Sequence, residues 1–345
     1  MPDPKEIEEL LLGGELRYTR VGAVERAGVS REFSGQVWKA FGYPSMPDGE
    51  VAYTEGDVAA LNRLGRLMAE GVLDEDAVIR LVRAFGQTMA RLAEWQVNLL
   101  SHMMGPGGDE PDAESVRTIV ELAEKHIGEF EPLVVHAWRR QLAAAGTRAI
   151  AAAATREPGS SSAVRPQITV GFADMVSFTQ MSRELEELEL ARVVERFEET
   201  ASDIVASCGG RLVKTLGDEV LFCADTPADG GEIALAIAQA ITDETEVPDV
   251  RVGVAYGPVL SLMGDVFGTT VNLAARLTKL ARPGSVVIDA ELAAQLEKEP
   301  GFASTRIVRR PVRGLGIVQP YVLRRARGDG GGPSGSGGEG APAGG

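Results

Sequence analysis

Basic charge is scarce: 35 lysines and arginines stand against 50 aspartates and glutamates, a formal net charge of −15 over 345 residues. A chain this acidic repels polyanions unless one face is locally basic, which argues against nucleic acid and anionic membrane as partners. Cysteine is nearly missing. Cys208 and Cys223 lack zinc-site or CxxC spacing and are too few for a disulfide framework, so each reads as a small buried apolar side chain. No apolar run approaches the roughly 18 residues of a spanning helix, and Met1 to Glu9 is acidic where a secretory leader is basic, so the expected location is cytoplasmic. No G-x-x-x-x-G-K-[ST] stretch occurs, which removes a P-loop nucleotide site. What is present is ordinary for a folded protein: 44% apolar and 25% charged residues, with length for about two domains.

Composition breaks twice. From Gly328 the chain is almost wholly Gly, Ser, Pro and Ala, and residues 328–345 read as a disordered tail. A second break at Glu157-Pro158-Gly159-Ser160 follows an alanine-rich, helix-favouring stretch, so residues 156–165 read as a linker. Before it, Val78, Ile79, Val82, Phe85, Met89, Leu92 and Trp95 recur at helical steps, as do Val116, Ile119, Val120, Ala123 and Ile127. Residues 1–155 are therefore expected to form an all-helical domain with these stripes in its core.

After the break, strands and helices alternate. Ile168, Val170 and Phe172 mark a first strand; Leu190 to Val205 carry one face of a long helix that Gly209-Gly210 ends. Arg211–Thr215 and Glu219–Ala224 form a hairpin through Leu216-Gly217-Asp218, a helix runs through Ile233, Ile237 and Ile241, and Val250 to Tyr256 alternate in a fourth strand. The order is β-α-β-β-α-β, so residues 166–327 are expected to be an α+β, ferredoxin-like split βαβ domain: an antiparallel sheet with helices on one face.

Asp174 falls at the end of the first strand and Asp218 at the hairpin tip, and this topology makes those strands neighbours. Two carboxylates meeting at a sheet edge suit Mg²⁺ or Mn²⁺, which take oxygen ligands and leave positions for water and phosphate. The same positions would also suit a helix cap and an ordinary turn residue.

The surrounding letters read F-A-D-M-V-S-F-T from Phe172, K-T-L-G-D-E-V-L-F from Lys214 and G-D-V-F-G-T-T-V-N-L-A-A-R-L from Gly264, about forty to fifty residues apart. In content and order they resemble the signatures of the class III nucleotidyl cyclases, over roughly residues 166–325. The resemblance implies a cyclase acting as a homodimer, with two divalent metals per site on Asp174, Asp218 and the backbone carbonyl of Met175. It further implies that Lys214 and Asp265 select the base, while Asn272 and Arg276, four apart on one helix face, stabilise the transition state. Amides of the turn from Met175 to Phe178, with Thr179 beyond, would face phosphate oxygens. Where the family often has a phosphate-binding lysine, this chain offers Arg313.

The chemistry of the base pair independently favours ATP. Adenine presents an acceptor and a donor, which a lysine and an aspartate satisfy; guanine reverses both and would leave polar groups unpaired at about 1–3 kcal/mol each. The expected activity is an adenylate cyclase forming 3′,5′-cyclic AMP and pyrophosphate, with a guanylate or dual-specificity cyclase, or a catalytically silent nucleotide-binding module, as alternatives. The G-G-D-E-F hairpin of diguanylate cyclases is absent. Leu16 to Tyr43 has a faint helix-turn-helix pattern, but no basic stripe follows it.

The first half resembles the helical regulatory domain of actinobacterial, acid-responsive class III cyclases. All three histidines, His102, His126 and His136, lie there, and histidine changes charge under modest acidification. Protonation in this half is accordingly expected to act on the cyclase half.

Overall fold

The computed structural model describes residues 4–103, 113–154, 166–244, 246–262 and 264–326; the stretches expected to be linker and tail lie outside them. The chain divides into two compact units, Met1–Thr155 and Arg156–Gly345.

The first unit runs α1 (Pro4–Leu12), β1 (Tyr18–Thr19), α2 (Arg20–Ala27), α3 (Arg31–Phe41), β2 (Val51–Tyr53), α4 (Glu55–Ala69), α5 (Glu75–Met103) and α6 (Ala113–Ala154). It is not wholly helical, because β1 and β2 pair antiparallel between the helices. Helix starts follow local chemistry. Thr19 and Ser30 accept amide bonds from Gly22 and Phe33, and Thr54 forms a reciprocal capping box with Asp57. The core gathers Phe33, Val37, Trp38, Val58, Leu61, Val78 and Val82. The turn after α2 thus serves to bury α3, whose Phe33, Val37 and Trp38 face inward.

The long stripes only partly enter that core. Val78 and Val82 are fully buried, whereas Phe85, Met89 and Trp95 further along α5 are exposed; on α6 Val120 and Ile127 are partly buried, and the side chains of Val116, Ile119 and Ala123 lie outside those described. Helical periodicity identifies an apolar face without supplying a partner for it, and here the compact part of the unit ends before the helices do. Of the three histidines, His102 lies on α5, and on α6 His126 is partly buried and His136 exposed.

The second unit contains β3 (Gln167–Met175), α7 (Phe178–Glu184), α8 (Glu187–Ser207), β4 (Arg211–Thr215), β5 (Glu219–Ala224), α9 (Pro227–Asp243) and β6 (Val250–Pro258). These are followed by β7 (Leu260–Leu262), β8 (Asp265–Phe267), α10 (Thr269–Thr278), β9 (Ser285–Ile288), α11 (Ala290–Leu296), β10 (Phe302–Arg306), β11 (Arg310–Val312), β12 (Gly316–Val318) and β13 (Tyr321–Arg325). The split βαβ core is present as β3, β4, β5 and β6, within a seven-stranded sheet ordered β10-β13-β9-β6-β3-β5-β4. Every neighbouring pair in it is antiparallel except β6 and β9, which are parallel.

Helices cover both faces rather than one. Phe197, Val205, Ile233, Ile237 and Leu292, from α8, α9 and α11, pack on one side with Val220, Phe222, Val252 and Val254. On the other side, Ala274 and Leu277 of α10 meet Ile168, Val170, Phe172, Leu221 and Cys223. Gly253 permits this second layer. A Cβ there would run into the Thr278 amide and come within 2.6 Å of the Ala274 carbonyl oxygen, so only glycine lets α10 lie on β6. Cys223 is buried and Cys208 partly so, both as free thiols. Among the described residues no helix is long and apolar enough to cross a membrane.

Candidate active site

Sheet register assembles the carboxylate edge. Asp174 lies directly opposite Glu219 on β5 and Arg251 on β6, so the three side chains form one row on one face. By the alternation of β3 that face is the one bearing Ile168, Val170 and Phe172, beneath α10. Asp218 arrives from the β4–β5 turn, which Gly217 makes with φ +72° and a 2.8 Å bond from the Leu216 amide to the Glu219 carbonyl. A second 2.8 Å bond, from the Met175 amide to the Asp218 carbonyl, clamps the turn against the end of β3. Asp174 is therefore not a helix cap: the N-cap of α7 is Ser177, without a side-chain cap bond.

The edge is electrostatically strained. Burial and then the charge of Asp218 push the Asp174 carboxyl above its usual range, against the pull of Arg251 and Lys279. Glu219 is raised by burial and by both aspartates, with Lys279 and Lys214 opposing. Among the described residues no group of three or more His, Cys, Asp or Glu is arranged to hold a metal ion. A hard cation here would rest on two aspartates and complete its shell with backbone oxygen, water and phosphate, a donor set that fits Mg²⁺ or Mn²⁺. Met175 buries its side chain, leaving only its backbone for such a role.

The strand-to-helix turn offers fewer amides than its sequence suggests. Met175 and Val176 spend theirs on the carbonyls of Asp218 and Asp249, both at 2.8 Å, so neither is available to a phosphate. Ser177 holds φ +62°, a left-handed conformation uncommon for a residue with a side chain, at the point where the backbone changes direction. Phe178 packs partly into the core and Thr179 is exposed.

Lys214 on β4 and Asp265 on β8 are brought together across 51 positions, with Nζ donating to the carboxylate at 2.6 Å. The side chains are 34% and 28% exposed. Partial burial pushes the Asp265 carboxyl up, but the Lys214 bond, the Val266 amide and the lysine charge outweigh it and hold it below the usual range. Asn272 and Arg276 lie one turn apart on α10, both exposed, and among the described residues Arg276 makes no ion pair. Arg313 is exposed in the turn between β11 and β12, on a hairpin separate from the main sheet.

Three charged residues at the edge were not singled out from sequence. Glu219 follows Asp218 directly, and Arg251 interrupts the apolar alternation V-R-V-G-V at a position facing α10. The Nε of Arg251 is buried without a hydrogen-bond partner, and a charged residue inside such a strand was the available signal. Lys279 carries no comparable signal: it reads as the last residue of a helix.

Comparison with known proteins supplies an independent line. Residues 161–325 match the model of the adenylate and guanylate cyclase catalytic domain. The chain is 42% identical to an adenylate cyclase of Streptomyces coelicolor, over 94% of this chain and 90% of that protein. It is 40% identical to an adenylate cyclase of Streptomyces griseus, over 92% and 88% respectively. It is also 30% identical to a pH-sensitive adenylate cyclase of Mycobacterium tuberculosis, over 91% and 80%.

Proposed function

The chain belongs to the class III nucleotidyl cyclases, and within that family we propose that it is an adenylate cyclase converting ATP to 3′,5′-cyclic AMP and pyrophosphate. The observation that carries the choice of ATP is the Lys214–Asp265 pair at 2.6 Å. Lys214 donates to the adenine ring nitrogen and Asp265 accepts from the exocyclic amine; guanine would present a donor to the lysine and an acceptor to the aspartate.

Asp174 and Asp218, with the Met175 carbonyl, would hold two Mg²⁺ or Mn²⁺ ions. When bound, such metal acidifies the ribose 3′-hydroxyl and neutralises the triphosphate. Asn272 orients the ribose so that the 3′-oxygen lies in line with the α-phosphorus. Arg276 stabilises the negative charge that grows on the α-phosphate as the oxygen attacks and pyrophosphate departs; loss of such a fixed donor slows the reaction about 10²–10³-fold. Arg313, the turn at Phe178 and Thr179, and the half-buried Arg251 supply contacts for the remaining phosphate oxygens.

Each site combines Asp174 and Asp218 of one protomer with Lys214, Asp265, Asn272 and Arg276 of another, in a head-to-tail homodimer. Two features support this arrangement. Asn272 and Arg276 are solvent-exposed, and Leu216, Leu260, Leu262 and Phe267 in the adjoining turn and hairpin expose apolar surface. The helical unit regulates the cyclase in response to pH, a reading supported by the mycobacterial relative's name.

The test is complementation. Asp174→Asn and Asn272→Ala should each lose at least about 99% of cyclic AMP formation from ATP with Mn²⁺. Mixed and allowed to exchange, the two variants should regain about a quarter of wild-type activity, because half the dimers are mixed and each of those restores one of two sites. Mixed dimers that form and stay inactive would refute the shared site. Absence of product from ATP and GTP alike in the wild-type protein would refute the enzyme and leave a nucleotide-binding module.

A further inference from the structure

Two oppositely charged surfaces stand at opposite corners of the second unit. From Pro300 to Ala326 the chain has six arginines and no acidic residue, within a protein of net charge −15. Three of them, Arg309, Arg310 and Arg313, are exposed on or beside the β11–β12 hairpin, which also shows Val308 and Ile317 to solvent, each 74% exposed. The corner between α7 and α8 carries the converse set: Glu184, Glu186, Glu187 and Glu189 are exposed around Leu188, itself 45% exposed. Arg309 donates to the Gln319 side chain and Glu184 accepts from Gln180, but among the described residues none of these arginines or glutamates makes an ion pair. The two surfaces cannot meet within one chain. β10 and β4 are the edges of the seven-stranded sheet; the hairpin projects between β10 and β13, whereas α8 packs on β4 and β5. At about 4.8 Å per strand spacing they stand roughly 25–30 Å apart across the sheet. They also belong to opposite ends of the strands. Arg306 and Tyr321, which frame the hairpin, align through Ile288 with Val254 on β6, whereas Asp174 aligns with Arg251 and the chain leaves that end for α7.

We propose that the β11–β12 hairpin of one protomer docks on the α7–α8 corner of a second copy, arginine to glutamate, with Val308 and Ile317 against Leu188. The inference rests on the head-to-tail homodimer proposed above, which brings the Asn272 end of one protomer to the Asp174 end of its partner. Asn272 lies at the hairpin's end of the strands, since nearby Thr270 donates its hydroxyl to the carbonyl of Pro258, the last residue of β6. About a two-fold axis such a contact occurs twice, each hairpin meeting the other protomer's corner. Opposite charge orients the encounter and disfavours other pairings, while the exposed aliphatic side chains gain cover from water. Docking also brings Arg313, in the hairpin turn, toward the start of the partner's α7, so that phosphate contacts from two protomers close on one nucleotide.

The test is charge reversal in the full chain, with the dimer dissociation constant read by sedimentation equilibrium near neutral pH and at low salt. Arg309→Glu with Arg310→Glu should weaken the dimer about tenfold, and Glu186→Arg with Glu187→Arg should do the same. All four changes in one chain restore opposite charges across the contact and should return the constant to within about threefold of wild type. Net charge cannot imitate this result. The first pair makes the acidic chain more negative and the second less so, and self-repulsion alone would weaken one dimer and strengthen the other. Unchanged constants for both pairs, shifts of opposite sign, or a four-change chain as weak as the two losses multiplied would overturn the docking. A wild-type chain that forms cyclic AMP yet stays monomeric would remove the homodimer and the docking with it, a different and recognisable result.

Discussion

Asp289 closes β9 with its carboxylate inside the protein, 7% exposed, where one oxygen accepts the amides of Leu292 and Tyr256 at 3.2 Å each. Burial raises its pKa from 3.8 to about 6, and the backbone bonds only partly offset that. Between those values the folded protein keeps a proton that the unfolded chain has released. The contribution to stability is full below 3.8 and is lost as the pH rises through about 6. Asp289→Asn keeps an acceptor oxygen without the charge. Its urea midpoint relative to wild type should therefore move in the variant's favour between pH 4.5 and 7, and no relative movement would show that the native carboxyl titrates normally. Single residues were unevenly legible. Asp218 on its own reads as an ordinary residue of a hairpin turn, and only the surrounding K-T-L-G-D-E-V-L-F letters single it out. Asp289 looks like any helix cap, since its neighbours Tyr256 and Val254 come from a strand more than thirty positions away. The contact of Lys214 with Asp265 is likewise invisible to spacing, and only the family resemblance pairs them.

At the scale of elements, the boundaries of β4 and β5 coincide with those expected, because a tight turn fixes both strand ends. The layering differs from expectation. β3 and β6 are buried on both faces, and I-T-V-G-F-A and V-G-V-A are near-continuous apolar runs, the pattern of a strand covered on two sides. Reading them as simple alternation hides the second layer and with it the seat of α10. That seat is exacting. Gly253→Ala should lift α10 from β6, destabilise the unit by about 1–3 kcal/mol and displace Asn272 and Arg276 together. A urea midpoint and a rate of cyclic AMP formation measured on the same preparation would check both effects. Full activity at unchanged stability would mean that the helix can shift at no cost.

At the scale of the whole molecule, the chain divides into two compact units, and the exposed flank of α5 and α6 warns that a periodic stripe need not mark a core. A chain beginning at Val164 retains the seven-stranded sheet and both helical layers. It should fold and form cyclic AMP, yet lose the activity change across about pH 5.5 to 8 that is expected of the full chain. Identical profiles for the two chains would remove pH sensing from the helical unit. The bond between Lys214 and Asp265 also has a history written into it. Either residue changed alone leaves the other as a half-buried charge without its partner, so the first step toward another base is a loss in itself. Under the base-selecting role proposed above, a variant that reads guanine should therefore need both positions changed together.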